Sequence, residues 1–81
     1  MRTYGTRELV ATLTCLGYTK GKQIASRHLK YFPPNKIEKG KVPFILVMQN
    51  RKVFDPHWQR TYIAQIKRHG FTKEQIKECF R

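Results

Sequence analysis

The chain has 81 residues, with seventeen Lys and Arg against five Asp and Glu, giving a formal net charge of +12. That length predicts one small domain over 1–81 with little core to spare, and so large a positive surplus is usually kept for a polyanion: nucleic acid, an acidic membrane surface or an acidic protein. A hydrophobic share of 40% excludes a disordered chain, and no apolar run nears the roughly 18 residues that cross a membrane.

Met1-Arg2-Thr3-Tyr4 leads straight into a helical pattern, with no signal-peptide character. Thr6 reads as an N-cap, Glu8 suits a first turn, and Leu9, Val10, Leu13 and Leu16 fall on one face. Together they predict a helix over Thr6–Leu16, ended by a left-handed Gly17 with Tyr18 folding back behind it. Cys15 on that helix reads as a small core hydrophobe. Neither it nor Cys79 has a partner at metal-ligating spacing, so both read as free thiols of a reducing cytoplasm.

Tyr18 to Phe32 reads as two strands, with Lys20-Gly21-Lys22 either a turn or a glycine-kinked strand. At period two, Ala25, Leu29 and Tyr31 point one way, with Arg27 the polar exception, while Ser26, His28 and Lys30 point the other. Pro33-Pro34-Asn35 ends the second strand, and Lys36–Lys41 is a polar loop punctuated by Gly40. Val42–Met48 predicts a central strand whose pairing begins near Phe44. Gln49-Asn50-Arg51-Lys52 turns the chain, and Val53-Phe54 returns to the core. Asp55-Pro56 then starts a helix with a carboxylate cap and a proline in its first turn. Trp58, Tyr62, Ile63 and Ile66 are expected as its buried stripe, with Gln59, Arg60, Gln65, Lys67 and Arg68 in water. Gly70 stops it. Thr72 and Gln75 have capping-box spacing, Phe71 and Ile76 that of a hydrophobic staple, so a last short helix runs through Phe80. The expected class is α+β in the order α-β-β-β-α-α: a three-stranded antiparallel sheet with helices packed on one face.

Of three histidines, His57 sits in a first helical turn and His69 in the last, where surface, capping or carbonyl-meeting roles are ordinary. His28 alone lies mid-strand, among Ser26, Arg27 and Lys30. The five acidic residues are scattered, which speaks against a carboxylate dyad or a Mg²⁺ site, and no phosphate loop or His-Glu-x-x-His spacing occurs. An enzyme made from these residues would work without a metal or other cofactor, around His28 and neighbouring cations. RNA cleavage suits such a set, because the 2′-hydroxyl is a nucleophile already held beside its phosphate. The protein then needs only proton transfer and charge stabilisation. Lys20, Lys22, Ser26, Arg27 and Lys30 are the candidate RNA contacts, and Tyr31 or Phe32 could stack on an unpaired base if outward-facing.

The run Ala25-Ser26-Arg27-His28-Leu29-Lys30-Tyr31, following a short helix ended by Gly17, resembles the Gly-Ser-x-His strand motif of HicA-type toxins. The stretch from Arg60 to Thr72 is similar to that family's closing helix, which runs into Gly, a bulky apolar residue and a cap. Those toxins are small basic mRNA interferases of toxin–antitoxin pairs. The resemblance implies a double-stranded-RNA-binding-domain-like fold, an essential histidine at His28, a motif serine at Ser26 and a HicB-type antitoxin that covers the active face. Ala25 stands where the motif has glycine, the Lys36–Lys41 loop is longer than usual, and Val47-Met48-Gln49-Asn50-Arg51 lacks the histidine often found after the third strand. Beside this endoribonuclease reading stand a non-catalytic RNA- or DNA-binding domain and a positive face that docks an acidic protein.

Overall fold

The computed structural model describes residues 3–21, 28–36, 40 and 42–80. Helix α1 spans Thr6–Cys15 and buries Leu9 and Leu13 completely. It stops as expected: Gly17 has φ +96°, its amide bonds the Thr14 carbonyl at 3.0 Å, and the Tyr18 amide bonds the Leu13 carbonyl at 2.9 Å. That pair of bonds satisfies two carbonyls the helix end would otherwise leave open. Tyr18 is buried directly behind.

The start of α1 differs from expectation. The N-cap is Gly5 and not Thr6, because the Thr6 hydroxyl is committed elsewhere: it donates to the Met48 carbonyl and accepts from the Arg51 amide at 3.1 Å. Glu8 still reaches back, accepting from the Gly5 amide at 2.7 Å. A glycine is needed there for space rather than for its φ of −124°. A Cβ on Gly5 would lie 2.0 Å from the Lys52 carbonyl oxygen and 2.3 Å from that of Arg51. Backbone cannot swing aside as a side chain can, so Gly5→Ala is expected to cost about 2–3 kcal/mol, in the range of overpacked cores. Urea unfolding checks this; an unchanged midpoint would contradict the close approach.

Three strands follow: β1 (Thr19–Lys20), β2 (His28–Phe32) and β3 (Ile45–Met48), in sheet order β1-β2-β3, all antiparallel. β2 pairs with β3 from His28 opposite Met48 to Tyr31 opposite Ile45, while Lys20 of β1 lies opposite Tyr31. Tyr31, Ile45 and Val47 are buried against the helices, with Leu29 packed beside them. By alternation, His28, Lys30, Phe32, Leu46 and Met48 belong to the other face, which no helix covers as it covers the first. β3, expected as the central strand over Val42–Met48, is shorter and lies at the edge of the sheet; β2 is central, because it pairs with both neighbours. Pairing of β3 begins at Ile45, one residue beyond Phe44.

Helix α2 (Pro56–Arg68) opens on Asp55, whose carboxylate accepts from the Trp58 amide at 3.0 Å. Lys67 and Arg68 in its last turn complement the negative end of the helix dipole. Helix α3 (Lys73–Cys79) opens on a reciprocal box: Gln75 amide to Thr72 Oγ1 at 3.2 Å, and Thr72 amide to Gln75 Oε1 at 2.8 Å. Tyr62 and Ile66 of α2 and Ile76 of α3 join Leu9 and Leu13 in one core over the sheet, extended by the rings of Tyr4, Tyr18 and Phe54. The layout is thus α+β in the order α-β-β-β-α-α.

Two further expectations are corrected. Cys15 and Cys79 are not free thiols but a disulfide, with Cα atoms 5.7 Å apart at a sequence separation of 64. The packing of α3 against α1 brings together the last residues of both helices, an adjacency that no sequence spacing encodes. Trp58, expected in the buried stripe of α2, is 37% exposed instead. The core takes Tyr62 and Ile66, with Ile63 packed beside them, and leaves Trp58 at the margin. Among the described residues, no helix is long and apolar enough to cross a membrane.

Candidate functional site

A groove of about 650 Å³ runs between the open side of the sheet and α2. Phe44, Leu46 and Met48 line it from β3 and the segment before it, and His28 from the first position of β2. Trp58, Tyr62, Gln65, Arg68 and His69 line it from α2 and its end, a stripe at helical spacing distinct from the core-facing Ile63 and Ile66. Leu46 is 45% exposed within it and shares the lining with Phe44 and Met48, so the apolar surface is a patch rather than one stray side chain.

Tyr62 joins helix to sheet. Its buried hydroxyl donates to the Leu46 carbonyl at 3.0 Å and accepts from the Met48 amide at 3.2 Å. Both groups therefore point away from β2. The Lys30 carbonyl likewise turns toward the β1 side, where it accepts from the Gly21 amide at 2.7 Å. His28–Met48 and Lys30–Leu46 are thus the non-hydrogen-bonded pairs of the ladder, with Cα atoms about 4.5 Å apart and side chains close across the groove floor. Burial raises the Tyr62 hydroxyl above the ordinary tyrosine range, against a smaller lowering by the Met48 amide. It stays a protonated, committed donor. Tyr62→Phe leaves an amide and a carbonyl without this partner, and is expected to lower unfolding free energy by about 1–3 kcal/mol in chemical denaturation.

His69 closes one end of the groove. It is the C-cap of α2 and is buried, its Nε2 3.0 Å from the Val42 carbonyl and its Nδ1 2.6 Å from the Tyr18 hydroxyl. A carbonyl only accepts, so Nε2 carries a proton, and in the neutral ring Tyr18 donates to Nδ1. Burial also raises the Tyr18 hydroxyl, which favours that donor role. His69 does meet a carbonyl, but Val42's across the groove end rather than one of its own helix. Asn35 Nδ2 donates to the His69 carbonyl at 3.1 Å, fixing the loop after β2 to the same corner. With both ring nitrogens committed, His69 is a strut. His57 is exposed in the first turn of α2, its ring 5.5 Å from that of Trp58.

His28 differs from both. It is exposed, and its ring has no hydrogen-bond partner among the described residues. Lys30 is the next residue on the same face, half-buried, its Nζ 4.2 Å from the centroid of the Phe44 ring. Phe32 also faces outward, 6.2 Å from Phe44 between ring centroids, whereas Tyr31 is buried. Lys20 does not join this group: opposite Tyr31, it projects toward the helix side of the sheet and is exposed at its margin. Lys22, Ser26 and Arg27 lie outside the described residues. The structure therefore brings His28 and Lys30 together and separates Lys20 from them.

Trp58, Gln65 and Arg68 line the groove, although helical periodicity assigns Trp58 to the core stripe and Gln65 and Arg68 to water. A signal for them exists in hindsight of the fold: Trp58, Tyr62, Gln65 and His69 recur at spacings of four, three and four, a second stripe beside the aliphatic one. Among the described residues, no three His, Cys, Asp or Glu side chains gather as metal ligands would. No protein-family model, curated protein or solved structure matches the chain, so the likeness to HicA-type toxins rests on the residues quoted for it.

Proposed function

We propose that the chain is a metal-independent endoribonuclease of the mRNA-interferase kind, with His28 as its acid–base residue. The observation that carries this is the position of His28: exposed at the side of a concave groove, its ring uncommitted among the described residues, with Lys30 on the same face and Arg68 on the opposite wall. The histidine and tyrosine that also line the groove are engaged in hydrogen bonds within the fold. Tyr62 is bound to β3 and His69 to Tyr18 and Val42.

In this reading the 2′-oxygen of the substrate attacks the adjacent phosphorus, and the bond from phosphorus to the 5′-oxygen of the next nucleotide breaks. Neutral His28 takes the 2′ proton, and its imidazolium returns a proton to the departing 5′-oxygen. Lys30 and Arg68 stabilise the extra charge on the phosphoryl oxygens. The products are a 2′,3′-cyclic phosphate and a 5′-hydroxyl, with atoms and charge in balance. By the same reading, the protein acts on mRNA in the cytoplasm, and an acidic protein of the HicB antitoxin kind covers its open face.

The test is incubation of purified protein with an unstructured RNA in the presence of a chelator. Fragments with cyclic-phosphate and 5′-hydroxyl ends are expected. Salt-sensitive RNA binding without cleavage would instead favour the second reading, a non-catalytic RNA- or DNA-binding domain. One observation supports that alternative: most of the groove floor is apolar, with Phe44, Leu46 and Met48 offering phosphate nothing.

A further inference from the structure

The apolar part of the groove is unaccounted for by phosphate chemistry, and it has an exposed tryptophan on its wall. We propose that it is a base-binding subsite in which Trp58 stacks on one unpaired RNA base adjoining the phosphate at His28. The proposal rests on the reading that the open face meets RNA.

Three features select this occupant. Trp58 is 37% exposed on the groove wall, its ring edge-on to His57 and 5.9 Å from Tyr62. Leu46 and Met48 opposite provide an apolar surface for the second face of a flat ring. Gln65 and Arg68, on the turns of α2 beyond Trp58, bring an amide and a guanidinium to the same wall, groups that hydrogen-bond base edges. A net charge of +12, with Arg68 lining the groove and the Lys30 ammonium over its Phe44, suits a ligand that is both polyanionic and aromatic. Unpaired nucleic acid is such a ligand. Bases in a duplex have both faces covered by their neighbours and cannot enter a concave site.

Trp58 is the chain's one tryptophan, so its fluorescence reports on this wall alone. The experiment titrates the full chain with three probes that lack the 2′ nucleophile: a 2′-O-methyl single strand, its duplex, and an abasic strand of equal charge. The single strand is expected to quench Trp58 and to bind about tenfold more tightly than the abasic strand, with the duplex quenching little. Trp58→Ala should remove about that tenfold, and Trp58→Phe should restore part of it, which guards against a variant that merely misfolds. Equal binding of abasic and base-bearing strands overturns the proposal and points to a site that reads charge alone, as an acidic protein would require. Equal quenching by the duplex overturns it too. Because no probe can be cleaved, the outcome is independent of catalysis: base-selective quenching by a protein that cuts no RNA keeps this subsite and discards the nuclease, and the converse result does the reverse.

Discussion

Replacing His28 by alanine is expected to lower RNA cleavage by about 10²- to 10⁴-fold, the contribution of a positioned general acid–base. The same change should leave folding nearly untouched. His28 is exposed at the first position of β2, and substitutions at such places typically stay within about 0.5 kcal/mol. This separation of effects gives the experiment its force, because a core histidine such as His69 would lose activity through loss of structure. His28→Ala should also keep its RNA affinity within a few-fold, since Lys30 and Arg68 remain. The assays are cleavage of a labelled RNA, thermal unfolding and growth after induction in cells. Persistent cleavage or growth arrest from a folded His28→Ala protein would remove His28 from the mechanism.

The second large effect concerns stability. The Cys15–Cys79 bond closes a loop with a sequence separation of 64. Constraining an unfolded chain over that span is worth about 4 kcal/mol in the loop-entropy model. A domain of this size has a total stability of only about 4–12 kcal/mol, and the charge of +12 opposes compactness throughout. Reduction, or Cys79→Ser, is therefore expected to lower the thermal midpoint by on the order of 20 °C. The variant should then be indifferent to reductant. A wild-type midpoint unmoved by dithiothreitol would show that packing of α3 on α1 suffices without the bond. Disulfides persist in oxidising surroundings and are uncommon in reducing ones, so beside cytoplasmic mRNA the thiol pool would open this bond and leave the domain at the lower midpoint of its reduced form.

Local signals in the chain were faithful because their physics is local. Gly17 and Gly70 take φ of +96° and +97° at the ends of α1 and α2, and Asp55 and Thr72 cap the helices they precede. The alternation through Leu29 and Tyr31 was readable for the same reason: one side of a strand must be apolar to dock. What was illegible is non-local. Nothing in the order of residues says that the Thr6 hydroxyl will be claimed by the end of β3, leaving Gly5 to cap α1. Nothing says that Cys15 will meet Cys79. Trp58 shows a subtler limit, since helical spacing identifies a stripe but not whether it faces a core or a cavity. The groove itself, assembled from β2, β3 and α2, exists only after those choices are made.

The hydroxyl of Tyr62 has one more effect, on assembly. By occupying the outward amide of Met48 and carbonyl of Leu46, it blocks the flank of β3 as a template for a foreign strand. Among the described strands, that leaves β1, Thr19–Lys20, as the flank where another chain could extend the sheet. β2 separates it from β3, the strand that with His28 lines the sheet side of the groove. A partner recruited by strand addition would therefore leave the groove open, and the protein could be tethered and still engage a ligand at His28.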